Sequence, residues 1–147
     1  MSYLAALGMI VAAATGAPVA THNVVVPHPS GPVDTEYRGR LSVEHRQVGA
    51  AGPGGRASTL RCLWTAHLAV DRTASHSSGI MASRSFVHEG VARGQRPGWC
   101  STNRVAIERD VAARTQTLDR HVAEAARADR LALHAEIDRL HAHNQAG

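Results

Sequence analysis

Between Glu36 and Arg46 the chain alternates. Tyr37, Gly39, Leu41, Val43 and His45 fall on one parity, with Glu36, Arg38, Arg40, Ser42, Glu44 and Arg46 on the other. Leu60, Cys62, Trp64, Ala66, Leu68 and Val70 repeat the pattern, and Arg61, Thr65, His67 and Asp71 are among the residues facing the opposite way. Successive strand side chains point to opposite faces, so each arm predicts a strand with one buried and one wetted surface. The glycine- and proline-rich stretch 49–57 lets the chain reverse, which makes the two arms an antiparallel hairpin with a long connection. A loop is expected over 72–79. Ile80 to Ala92, with Phe86, Val87 and Val91, predicts a third strand of poorer alternation, and a bulge near Arg84 would account for its mixed parity.

Past Cys100 the period changes from two to that of a helix. Ile107, Val111, Leu118, Val122 and Ala125 recur on one face, after Ser101 or Thr102 as a capping residue. Neither Pro nor Gly occurs between Gly98 and Gly147. An unbroken helix over 103–143 would be about 60 Å long, more than a strand of about a dozen residues can cover. The apolar stripe falters at Asp129 and Arg130 and resumes at Leu133, Ile137 and Leu140, which predicts a break or a free-standing final segment near Asp129. The expected fold class is α+β: a three- or four-stranded antiparallel β-meander (36–100) packed against a long C-terminal helix (101–143), with 144–147 as a tail.

Upstream, residues 1–20 carry no charge, and the apolar run Tyr3 to Ala14 is followed by Thr15, Gly16, Ala17 and Pro18. This reads as a signal peptide, hence a periplasmic or secreted protein with no stable membrane span once the leader is removed; an uncleaved anchor is the alternative. Residues 21–35, with Pro27, Pro29 and Pro32, read as an extended linker in which Val24 to Val26 are available as a short edge strand.

Composition makes the core thin, because the chain has one Phe, two Trp and two Tyr. Each large inner-face residue contributes roughly 1.5–3 kcal/mol on burial, against about 1–2 kcal/mol of backbone ordering for every residue fixed. A disulfide between Cys62 and Cys100 would offset part of that deficit. Closing a loop of this length is worth about 4 kcal/mol in the chain-entropy model, and such bridges persist in oxidising compartments.

All 16 basic residues are Arg, against 12 acids. Nine Arg and five acids fall between Thr21 and Cys100, whereas seven of each follow, so the formal surplus of +4 belongs to the sheet half. Arg38, Arg40, Arg46 and Arg61, on the polar parity of the two arms, are the expected binding surface for a protein partner or an anionic envelope component. The charges are interspersed and lack the aromatic interleaving of a nucleic-acid footprint, so nucleic acid is not expected.

Ten histidines raise metal chemistry. His134, Asp138 and His141 recur at i, i+4 and i+7 on one helical sector, and imidazole with carboxylate suits zinc or another borderline cation. Neither an HExxH nor a Cys/His finger spacing is present. Gly52-Pro53-Gly54-Gly55 lacks the Gly-Lys-Ser/Thr of a phosphate loop, and Ser75-His76-Ser77-Ser78-Gly79 is no GxSxG elbow. The expectation is an exported, non-enzymatic binding module without a cofactor, the alternative being a metal-binding protein that uses the helical His/Asp cluster.

Overall fold

The computed structural model describes residues 19–54 and 58–147. The expected signal peptide lies outside them except for Val19 and Ala20, which open a strand. Four strands, β1 (Val19–Val26), β2 (Val33–Val48), β3 (Arg61–His76) and β4 (Met81–Pro97), pair antiparallel in chain order, and two helices follow, α1 (Arg104–Arg114) and α2 (Leu118–Gln145). The fold is the expected α+β meander, with the sheet's fourth strand supplied by β1.

β1 occupies much of the segment expected as a linker. It pairs with β2 from Val19 opposite Arg40 to Val26 opposite Val33. Pro27, Pro29 and Pro32 all fall in the β1–β2 turn, where no ladder N–H is required, so they punctuate the sheet without interrupting it. At its other end β3 runs through the expected loop to His76, with Arg72, Ala74 and His76 continuing the buried parity. The irregularity in β4 lies not at Arg84 but across Glu89–Val91, which together oppose His67 of β3. Gly90 adopts φ +65° there, a conformation available to glycine at little cost, and its N–H donates to His67 Nδ1 at 3.2 Å.

The helices cover one face of the sheet. The expected break near Asp129 is absent, because α2 runs without interruption through that residue. The chain bends instead at 115–117, where the Thr115 hydroxyl and N–H both donate to the Val111 carbonyl, at 2.6 and 2.9 Å. A threonine bonding back in this way competes with helix continuation. The first helix follows Asn103 rather than Ser101 or Thr102, and Asn103 holds the entry by donating from Nδ2 to the carbonyls of Pro97 and Trp99. The 28 residues of α2 span about 42 Å, within the roughly 50 Å of a 16-residue strand, so the bend resolves the overhang.

Two apolar clusters fill the space between sheet and helices. One joins Tyr37, Leu41, Trp64, Leu68 and Val70 to Ile107, Val111 and Val122; the other joins Val26, Val33, Ala74 and Ile80 to Leu133 and Ile137. Gly39 sits where the first leaves no room for a side chain. A Cβ there would lie 2.5 Å from Val122 Cγ2 and 2.8 Å from Leu68 Cδ1, so the missing side chain is what admits α2. At the far end Cys62 is bridged to Cys100, tying β3 to the approach to α1.

Candidate functional site

Between the two apolar clusters a polar row crosses the inner face. His22, Tyr37, Arg72 and Arg84 are register partners on the four successive strands. Asp129 descends on this row from α2. Its carboxylate accepts from the Tyr37 hydroxyl at 3.0 Å, from Arg72 Nη1 at 2.8 Å and from Arg84 Nη1 at 2.5 Å, and Arg72 Nη2 also donates to Glu136. Burial first, then the Asp129 charge and hydrogen bond, push the Tyr37 hydroxyl well above its usual range. Burial pulls the Arg72 guanidinium down, but the hydrogen bond to Asp129 and its charge, followed by those of Glu136, outweigh it and leave the group above its ordinary value. With three donors gathered on one buried carboxylate, the row acts as an internal lock between sheet and helix.

The lock also explains part of the charge asymmetry. Arg72, Arg84 and Arg96 lie on the helix side of the sheet and meet helix acids, Arg96 through paired bonds of 2.7 Å to Asp110. Those bonds hold the Asp110 carboxyl below the usual carboxylate range. Much of the surplus read as a wetted surface is thus complementarity between the two layers.

Arg38, Arg40, Arg46 and Arg61 do lie exposed on the outer face, but they are not equivalent. Arg38 is 3.9 Å from Glu36 and Arg40 is 3.1 Å from Asp71. Arg46 and Arg61, towards the disulfide end, have no ion pair among the described residues. They border two shallow concavities. One, of about 320 Å³, is lined by Glu44, Arg46, Leu63, Thr65, His67 and Arg93; the other, of about 430 Å³, includes Arg61, Gln95 and Arg96.

The opposite end of the sheet gathers histidines. The β1–β2 turn reads His28-Pro29-Ser30-Gly31 and the β3–β4 turn reads His76-Ser77-Ser78-Gly79, two copies of His-x-Ser-Gly. In each turn the glycine N–H donates to the histidine carbonyl at 2.9 Å. In each, too, the serine N–H donates to the imidazole Nδ1, at 3.2 Å in the first and 3.0 Å in the second. An Nδ1 that accepts an N–H carries no proton, so this arrangement leaves Nε2 as the donor of each ring. His28 Nε2 accordingly donates to Asp138 at 2.9 Å, and His76 Nε2 approaches Ser30 Oγ at 3.2 Å.

His134 and His141 of α2 complete the cluster. The His28 ring centroid lies 5.2 Å from that of His134 and 6.3 Å from that of His141, and His76 meets His141 at 4.7 Å. His28 thus lies against His134, Asp138 and His141 in turn, and His76 against His141, contacts that no spacing along one helix could have revealed. The repeated His-x-Ser-Gly turns were the signal available in the sequence. Asp138, His28 and Ser30 form an acid–imidazole–hydroxyl chain, with the Ser30 hydroxyl 2.6 Å from Nδ1. Its recurrence at His76 and Ser78, where no acid follows, marks the serine contact as turn chemistry rather than nucleophile activation.

Compared with known proteins, the chain gives no significant match to any family, curated protein or solved structure. No described helix is long and apolar enough to cross a membrane.

Proposed function

We propose that this is an exported, non-catalytic module that binds an anionic envelope component or an acidic protein partner at the disulfide end of its outer sheet face. The observation that carries the reading is the inequality among the exposed arginines. Arg38 and Arg40 have acids within ion-pair distance, whereas Arg46 and Arg61 face solvent with no ion pair among the described residues and border two concavities, the first of which also holds Arg93 and Glu44, the latter 3.5 Å from His67. Guanidinium groups are weakly hydrated, and their forked donors match carboxylate and phosphate oxygens. The Cys62–Cys100 bridge supports an oxidising compartment as the place of action.

Sedimentation of the oxidised protein with phospholipid vesicles tests the reading, using anionic vesicles against zwitterionic ones. Binding is expected to the anionic vesicles alone and to fall steeply with salt. The Arg46→Gln/Arg61→Gln pair is expected to weaken it at least tenfold, and Arg38→Gln/Arg40→Gln to change it little. An equal loss from both pairs overturns the assignment to this end. If anionic vesicles fail, capture of an acidic protein from an envelope extract, with the same dependence on Arg46 and Arg61, selects the protein partner; failure of both overturns the proposal.

A further inference from the structure

Two buried imidazole nitrogens at the histidine end have no hydrogen-bond partner, Nε2 of His134 and Nε2 of His141. A buried polar atom left unpaired is costly; Trp64 Nε1 and Arg72 Nε are also unpaired among the described residues, but these two imidazole nitrogens share one cluster. His28 lies between the two, its side chain 3% exposed, and its Nε2 points to the Asp138 carboxylate.

We propose that His28, His134 and His141, with Asp138, form a site for one borderline divalent cation such as zinc, assembled from the β1–β2 turn and the last four turns of α2. Three lines of geometry support it. A zinc ion about 2.1 Å from an imidazole nitrogen lies about 3.2 Å from the ring centroid, so two rings on a tetrahedral ion stand roughly 5 Å apart. The His28–His134 spacing of 5.2 Å matches that value, whereas the His28–His141 spacing of 6.3 Å has to shorten for both rings to meet one ion. The donor set of imidazole with one carboxylate is the kind that zinc, nickel and copper prefer. Ser30 Oγ, 2.6 Å from His28 Nδ1, is placed to accept the proton that Nδ1 carries when Nε2 becomes a ligand, once Nδ1 has given up the Ser30 N–H it accepts in this structure; ligating histidines require such an outer-shell bond.

His76 has a different part. Both of its nitrogens are engaged, Nδ1 by Ser78 and Nε2 by Ser30, so it is a positioning residue that holds the Ser30 hydroxyl against His28. Among the described residues no three His, Cys, Asp or Glu side chains already surround one point at ligating distance. Closure requires rotation of the imidazoles about their own bonds and release of two hydrogen bonds of His28, the one to Asp138 and the one from the Ser30 N–H. The backbone that carries them is fixed beforehand by the duplicated turn and by Leu133 and Ile137.

The test is a titration of the oxidised, chelator-treated full chain with zinc alone, followed by calorimetry and melting temperature, and with cobalt(II) as a spectroscopic probe of tetrahedral nitrogen ligation. One equivalent is expected to bind, to raise the melting temperature and to give the intense visible bands of a four-coordinate cobalt site. His28→Gln and the rim substitution Asp138→Asn are each expected to weaken binding at least tenfold, and His45→Gln at the far end to leave it unchanged. Ser30→Ala, which keeps every ligand, is expected to weaken it by a smaller factor. The proposal is overturned by the absence of saturable binding near one equivalent, or by unchanged affinity in His28→Gln, which would leave the helical residues binding alone. The site is remote from Arg46 and Arg61, so neither outcome bears on vesicle binding.

Discussion

Nη1 of Arg72 lies 2.8 Å from Oδ2 of Asp129, and neither side chain exposes any surface to solvent. Removing one member of a buried pair leaves the other uncompensated, which typically costs about 3–5 kcal/mol. Asp129→Asn is expected near that range, because it weakens three contacts at once, those to Tyr37, Arg72 and Arg84. Arg72→Met is expected to cost less, since Asp129 keeps the other two donors. The Arg72→Met/Asp129→Leu double variant should recover most of the loss, because apolar residues of similar volume replace both charges. Urea unfolding of the oxidised protein checks the order Asp129→Asn worst, then Arg72→Met, then the double variant.

That lock also marks where sequence reasoning stopped. Period-two alternation was legible across Glu36–Arg46 and Leu60–Val70 because the inner residues there are apolar, and the disulfide followed from Cys62 lying on that parity. Arg72, facing inwards on the same parity, resembled the start of a loop, and Asp129 resembled a gap in the helical stripe. Hydrophobic pattern treats a buried ion pair as two interruptions, since neither residue reveals that the other is opposite it. The real interruption, at 115–117, carries neither Gly nor Pro, and depends on a threonine bonding back to Val111. In the site, His134, Asp138 and His141 were legible from spacing on one helix. His28 is more than 100 residues away from them and His76 more than 50, and both join the cluster only through the sheet register.

Tyr37 gives the lock an alkaline signature. Its folded pKa is raised, so the folded state favours the neutral hydroxyl, whereas the unfolded chain ionises near about pH 10. The contribution is therefore fully present below about pH 10 and is lost as pH rises from there through the folded value. Absorbance of ionised tyrosine should contain a component that appears only as the protein unfolds. Tyr37→Phe should abolish that component and cost about 1.5–3 kcal/mol at neutral pH, the usual worth of a hydrogen bond to a charged acceptor.

Gly39 faces α2 with no side chain, and Val122 occupies the space a Cβ would take, at 2.5 Å. Gly39→Ala is expected to destabilise by about 1–3 kcal/mol through overpacking, despite the lower backbone entropy of alanine in the unfolded chain. Val122→Ala opens that space at its own cost. In a double-mutant cycle the pair should therefore cost less than the sum by more than about 0.5 kcal/mol. Simple additivity in chemical denaturation would show that the two residues do not compete for the same volume.

The disulfide end has two fastenings of different kinds, and they should fail differently. Cys62 is fully buried on β3 and bridged to Cys100, while Gln47 at the end of β2 accepts the Cys100 N–H at 2.7 Å and donates to the Arg61 and Gly98 carbonyls. A covalent link acts in large part by restricting the unfolded chain, so Cys62→Ala/Cys100→Ala is expected to cost about 2–5 kcal/mol, and reduction of the native protein a comparable amount. Gln47→Ala removes contacts made only in the folded state, each worth about 0.5–1.5 kcal/mol. Once the bridge is absent, Gln47 has to hold the Cys100 segment alone. The Gln47→Ala change should then expose the backbone amides around Cys100 to hydrogen exchange far more than it does in the oxidised protein. Equal exchange in the two backgrounds would show that the bridge leaves the segment's local opening unchanged and stabilises only the global fold.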